Sequence, residues 1–260
     1  MRVAFITLSN EGARLIGRLV VEFQNSAVFL HENINVDRAG ERFAKIANLT
    51  DRIFGEYDGL VYIAPCGAVV RAIAGKIGNK ATDPAVVVVD AGGRYAISLL
   101  SGHEGGANML AVAVANAIDA EPVISTTTEA VKNIIVGVGC RKGKEAGKIV
   151  EAIKTALAMA NTDIGKVRYI ASADVKSREK GLIEAAQLLD IPLRFISSGE
   201  IRSSTMEFGR SEFVEQNVNL PAVAEPSALH AGRRTTLILQ KTKLDGITVA
   251  IAKESCLSLE

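Results

Sequence analysis

The sequence predicts an α/β protein of two α/β domains, each with a mostly parallel sheet and short hairpins. Three observations lead there. Short apolar runs of strand length alternate with amphipathic helical patterns along the chain. Strand ends repeatedly pass into helices through glycine or another small residue. A polar stretch without period, residues 125–133, interrupts the alternation near the middle, and a new strand follows it. The domains are therefore drawn as residues 1–128 and 133–260, an ordinary size for each in a chain of 260 residues.

In the first half, residues 2–8 read as a strand. Residues 11–23 read as a helix, with Leu15, Ile16, Leu19 and Val20 on one face. A short strand is expected at 27–30, a helix over 41–54 and a buried strand at 59–63. The segment APCGAVVRAIAG then turns into a helix. Residues 86–89 and 95–100 flank DAGGR and suit a hairpin. An alanine-rich helix over 105–118 and a strand at 123–125 complete the half.

The second half begins with a strand at 134–139, then a helix over 144–159 with Ile149, Ile153, Ala156 and Leu157 on one face. Strand, helix and strand follow at 167–173, 178–189 and 192–196. Residues 197–219, around Phe208 and Phe213, are less regular. A short helix at 222–231 precedes two strands, 236–240 and 247–252, joined at Asp245-Gly246.

Composition narrows the function. Hydrophobic residues make up 48% of the chain and charged residues 23%, which calls for a packed core. Thirty basic against 29 acidic residues give no bulk charge for nucleic acid or a membrane surface. Cys66, Cys140 and Cys256 are far apart with no CxxC, so neither a disulfide framework nor a zinc ribbon is expected. A reducing cytoplasm suits this usage. The N-terminus is too short an apolar run for a signal peptide, and no run reaches bilayer length. Three scattered histidines give no metal-ligand spacing.

Four strand-to-helix turns carry small residues: ITLSNEG, IAPCGAVVR with Gly67, LLSGHEGGAN, and GVGCRKGK. Helix N-termini present unpaired N–H groups to carboxylates or phosphates. The third turn is the richest. His103 and Glu104 offer an acid–base pair. Gly105 and Gly106 allow close approach of a ligand to the backbone, with Ser101, Gly102 and Asn108 beside them in the same turn. The same residues also suit a plain helix start, with His103 and Glu104 facing water.

In the fourth turn, Gly137, Gly139 and Gly143 are spaced one residue too long for a dinucleotide fingerprint. No acidic residue ends a second strand about 20 residues on. A tight strand–helix turn is one reading. The other has Arg141, Lys142 and Lys144 reaching acidic groups of a ligand. Cys140 suits packing as well as nucleophilic chemistry. Lys176 stands past a strand, where an amine can pair with a carboxylate. His230 falls late in a helix, where its charge suits the dipole end.

The segments TDPAVVVVD, GRYAISLLSGHEGGAN, GVGCRKG, ADVKSREKGL, VAEPSALHAG and ITVAIA resemble, in this order, the cobalt-precorrin 5A hydrolases (the CbiG family) of anaerobic cobalamin biosynthesis. The resemblance runs over nearly the whole chain. Many members carry a middle region between the two domains, and this sequence lacks it. The resemblance implies opening of a δ-lactone on cobalt-precorrin 5A with loss of acetaldehyde to give cobalt-precorrin 5B. It implies a tetrapyrrole as substrate, with other pathway enzymes as partners, and no cofactor besides the cobalt that the substrate carries. In that chemistry His103 or Glu104 supplies the base. Gly67, Ser101, Gly102, Gly105, Gly106, Asn108, Gly139, Cys140, Arg141, Lys142 and Lys176 are the candidate substrate contacts. A corrinoid-binding or carrier protein without chemistry is the alternative.

Overall fold

The computed structural model describes residues 1–209 and 212–259, apart from the side chains of residues 212, 213 and 217. The aromatic expectation at Phe213 therefore lies outside the described residues. The chain divides into two compact units, Met1–Thr126 and Thr127–Glu260.

The first unit runs β1 (Val3–Thr7), α1 (Asn10–Glu22), β2 (Ser26–His31), β3 (Glu41–Phe43), α2 (Ile46–Ile53), β4 (Gly59–Ile63), α3 (Cys66–Ile73), β5 (Ala85–Val89), β6 (Tyr95–Leu100), α4 (Ala107–Ile118) and β7 (Glu121–Val123). Its sheet has the order β3-β2-β1-β4-β5-β6-β7. Five of its six pairings are parallel, and only β5–β6 is antiparallel. The central strands β1, β4 and β5 are buried at every position because helices cover both faces, and all but Thr7 and Gly59 of their residues are apolar. Val3, Phe5, Val61, Val87 and Val89 pack against α1 and α4. Their neighbours Ala4, Ile6, Leu60, Tyr62 and Val88 pack against α2 and α3. The strand period of two thus sorts one continuous apolar run onto two layers.

The helix expected over 41–54 is instead a strand followed by a shorter helix. Residues 41–43 pair with Phe29, Leu30 and His31 at the sheet edge. A tertiary partner overrides a local pattern that Glu41 and Arg42 left ambiguous. At the start of α1, the Ser9 hydroxyl accepts from Gly12 N–H at 3.1 Å, an N-cap. Thr7 Oγ1 donates to the Ile63 carbonyl at 3.0 Å and ties β1 to β4.

The second unit runs α5 (Thr127–Ala130), β8 (Ile134–Cys140), α6 (Ala146–Met159), β9 (Val167–Ala173), α7 (Lys180–Leu189), β10 (Leu193–Ile196), α8 (Ser198–Ser203), α9 (Glu212–Val218), α10 (Ala224–His230), β11 (Thr235–Leu244) and β12 (Ile247–Glu254). Short 3-10 turns precede β9 and α7. The sheet order is β10-β9-β8-β12-β11, parallel from β10 to β8 and antiparallel through the β11–β12 hairpin. The α6 and α7 helices cover one face through Ile149, Ile153, Leu157, Leu182 and Ala185. On the other face α10 crosses β8 at backbone contact. A Cβ on Gly137 would lie 1.9 Å from the Ala224 carbonyl oxygen, so only glycine admits that crossing.

Candidate functional site

Because β6 runs against β5, its end lies at the beginning of β5. Leu100 pairs with Val86 near the start of β5, while Ala96 pairs with Val89 at its end. The turn after β6 therefore opens at the rim where β1, β4 and β5 begin. Gly67 follows Ile63 at the rim where those strands end. Five-residue strands put about 13 Å between the rims. Gly67 and residues 101–108 consequently occupy separate places.

The structure gathers Ser101, Gly102, His103, Glu104, Gly105, Gly106 and Asn108 into one tight loop entering α4. Its hydrogen bonds explain the shape. Ala107 N–H donates to the Ser101 carbonyl at 3.1 Å, and Asn108 N–H donates to the Gly102 carbonyl at 2.9 Å. The buried Asn108 amide accepts from Ser98 Oγ at 2.8 Å and donates to Thr126 Oγ1 at 3.0 Å. Asn108 is thus occupied in pinning the loop.

The glycines have steric reasons of their own. A Cβ on Gly102 would lie 2.6 Å from Thr126 Cγ2, and one on Gly105 would lie 2.4 Å from Ser101 Cβ. Gly106 caps α4 with φ of 83°. The helix therefore starts at Ala107, two residues later than the pattern suggested. What the fold leaves over is chemical. The N–H groups of Gly105 and Gly106 have no acceptor among the described residues. Ser101, with φ of 57°, is 7% exposed, and its Oγ likewise has no partner among them.

His103 and Glu104 both point to solvent. The Glu104 carboxylate is engaged by Lys80 Nζ at 2.6 Å. The Lys80 hydrogen bond, helped by Glu104's own backbone N–H, holds that carboxyl below the usual carboxylate range. Glu104 is therefore a weak base. No hydrogen bond reaches the His103 ring among the described residues, which leaves both nitrogens open to a ligand.

At the other rim, Gly67 lies in the first turn of α3, and Arg71 donates to its carbonyl at 2.9 Å. Asp90 organises the nearby hairpin. Its carboxylate accepts from the N–H groups of Gly92, Arg94 and Tyr95 at 3.1, 2.7 and 2.9 Å. Partial burial pushes its pKa up, but these bonds and Arg94 outweigh that and keep it low.

In the second unit the ends of β8 and β9 bring Cys140, Lys144, Lys176 and Glu179 together. Glu179 Oε1 accepts from Gly143 N–H at 2.8 Å, so the protein's own carboxylate fills the turn that sequence offered to a phosphate. Lys144 pairs with Asp245 at 3.2 Å. Cys140 is buried, which raises its thiol pKa; nearby Lys176 and Lys144 oppose the rise and Glu179 adds to it. Gly139 backs onto Val223, with a Cβ position 3.3 Å from Val223 Cβ. Arg141 and Lys142 are exposed, and Arg141 N–H donates to the Gly246 carbonyl at 3.3 Å. Lys176 is half-buried, and no carboxylate pairs with it among the described residues.

One constellation had no signal in the sequence. His230 Nδ1 lies 3.0 Å from Glu200 Oε1, and His230 Nε2 lies 2.8 Å from Ser204 Oγ. Separations of 26 and 30 residues follow no motif, and only the packing of α8 beside α10 joins them.

Comparison with known proteins follows the same division of the chain. The family model described as cobalamin synthesis G N-terminal matches residues 48–129, and that described as cobalamin synthesis G C-terminus matches residues 134–252. A protein of Priestia megaterium named cobalt-precorrin-5A hydrolase is 24% identical over 352 positions, covering 96% of this chain and 94% of that protein. The alignment is longer than the 260 residues here, so a stretch of that relative has no counterpart in this chain. A Salmonella typhimurium protein of the same name is 46% identical over 83 residues, 32% of this chain and 24% of that one. Protein CobE of Sinorhizobium sp. is 31% identical over 136 residues, 52% of this chain and 88% of its own length. With both models matched in order and only four residues between them, the chain belongs to the cobalamin synthesis G (CbiG) family as a short form.

Proposed function

We propose that the chain opens the δ-lactone of cobalt-precorrin 5A and releases acetaldehyde, yielding cobalt-precorrin 5B in cobalamin biosynthesis. The observation that carries this is the ordered match of both halves to the family, together with an alignment spanning 94% of a hydrolase of that name. In this reading residues 1–128 and 133–260 are the two domains of a cytoplasmic enzyme.

The loop at 101–106 supports the chemical step. Lactone opening needs an activated water and donors for the oxyanion that develops at the carbonyl. The N–H groups of Gly105 and Gly106, on the positive end of α4, supply such donors. The Ser101 hydroxyl, buried without a partner, adds a third. His103 takes the proton from water, because Lys80 holds Glu104 ionised and weakly basic. Loss of acetaldehyde then breaks the carbon–carbon bond to the macrocycle: a base removes the hydroxyl proton, the aldehyde carbonyl forms, and the bonding electron pair passes to the macrocycle. Asn108 and Gly102 position the loop. In the second unit, taken by itself, Arg141, Lys142 and Lys176 are the cations we assign to carboxylate binding, with Gly139 and Cys140 in the adjoining turn. Gly67, at the far rim, has no part in the lactone step.

Incubation with cobalt-precorrin 5A, with acetaldehyde measured by a coupled dehydrogenase, tests the reading. Acetaldehyde in step with protein concentration supports it. Tight binding without acetaldehyde returns the chain to a carrier role.

A further inference from the structure

We propose that Ser204, His230 and Glu200 form a nucleophile, base and orienting group that give the second unit acyl-transfer chemistry toward carboxylic esters and lactones. The contacts have the order such chemistry needs: a hydroxyl on one imidazole nitrogen and a carboxylate on the other, at 2.8 and 3.0 Å. The three groups come from separate elements. Glu200 lies in α8, Ser204 directly follows it, and His230 is the last residue of α10.

The protons fall into place by elimination. An ionised carboxylate only accepts, so His230 Nδ1 carries the hydrogen toward Glu200. Nε2 of the neutral ring then has only a lone pair to offer, and the Ser204 hydroxyl donates to it. Ser204 Oγ also accepts from Met206 N–H at 3.2 Å, which steers the hydroxyl proton toward the imidazole. The end of α10 favours the imidazolium that forms when His230 takes this proton. The His230 side chain is 12% exposed and Ser204 is partly buried, so the set is sheltered yet reachable. Met206, 42% exposed, offers apolar surface two residues away.

The step balances. Ser204 Oγ bonds to the acyl carbon as its proton passes to His230 Nε2. The acyl carbon–oxygen bond breaks, and His230 returns the proton to the departing alkoxide. Water then attacks the acyl-serine, gives its proton to His230, and frees the acid and Ser204. Glu200 touches no reacting atom and acts as a positioning residue.

The test needs no tetrapyrrole, so it stands apart from the proposed function. The whole chain is treated with a fluorophosphonate and with p-nitrophenyl acetate. We expect a single adduct that peptide mass spectrometry maps to Ser204, and p-nitrophenyl acetate hydrolysis that stops when that adduct forms. Ser204→Ala removes the adduct. His230→Ala slows labelling at least 100-fold. Glu200→Gln slows it at least tenfold with an altered pH profile, and Glu200→Asp restores part of the rate. Absence of an adduct at Ser204 in the folded wild-type chain overturns the proposal, as does undiminished labelling of a folded His230→Ala variant. A chain that releases acetaldehyde but takes no adduct keeps the proposed function and loses this one. A chain that takes the adduct but releases no acetaldehyde keeps the serine chemistry and loses the lactone reading.

Discussion

Two turns share a layout and differ in what fills them. After β6, residues 101–106 lead into α4 and leave the N–H groups of Gly105 and Gly106 without acceptors among the described residues. After β8, residues 141–145 lead into α6, and the Glu179 carboxylate takes the Gly143 N–H. The first turn is sterically tight but electrostatically open. The second is roomy and already satisfied, since nothing lies within 4 Å of a Cβ on Gly143. A glycine-rich helix start therefore reveals little about ligands until one asks which of its donors the protein has used.

The largest effect should come from closing the first turn. Gly105→Ala puts a Cβ 2.4 Å from Ser101 Cβ and 3.0 Å from the Ser101 carbonyl oxygen. We expect about 1–3 kcal/mol lost in denaturant unfolding and acetaldehyde turnover at least about 100-fold lower as the donors move. Gly143→Ala meets only its φ of 77°, at a cost of about 1–2 kcal/mol, with turnover nearly intact. Equal losses of turnover in the two variants would erase the distinction between the turns.

Next, His103→Ala should lower turnover by about 100-fold if His103 is the base, while Glu104→Gln should change it less than tenfold. The reverse ranking would move the base to Glu104. Emptying the second turn should matter less. Glu179→Gln leaves a weaker acceptor for Gly143 N–H and should cost about 1 kcal/mol in thermal unfolding. The smallest effect concerns thiols. Exposed Cys66 should alkylate well before buried Cys140, whose rate should keep climbing above the ordinary thiol pKa of about 8.5. Early modification of Cys140 at neutral pH would show its turn to be more open than the packing allows.

Much of the fold is legible because each layer leaves its period in the sequence. Val86 to Val89 announce a strand covered on both faces, and DAGGR announces the antiparallel step into β6. Residues 41–43 escape the pattern because an edge strand of three residues, two of them charged, takes its conformation from β2 rather than from its own side chains. The richness of SGHEGG is legible, but its meaning is not. Gly102 and Gly105 are excluded from bearing side chains by Thr126 and Ser101, contacts no spacing rule foretells. The hydroxyl left over at Ser101, the pairing of Glu104 with Lys80, and the meeting of Ser204 with His230 and Glu200 arise only when distant segments pack.

The reversal of β6 has one more consequence. In a wholly parallel α/β sheet every crossover helix starts at one rim, so the positive helix ends all gather there and any change to one is felt by the others. Here α1 and α3 begin at one rim and α4 at the opposite one. The first unit thus has two electrostatic poles of like sign on opposite sides of a single sheet. Selection, or an engineer, can retune the rim of Cys66 and Gly67 without disturbing the rim of His103.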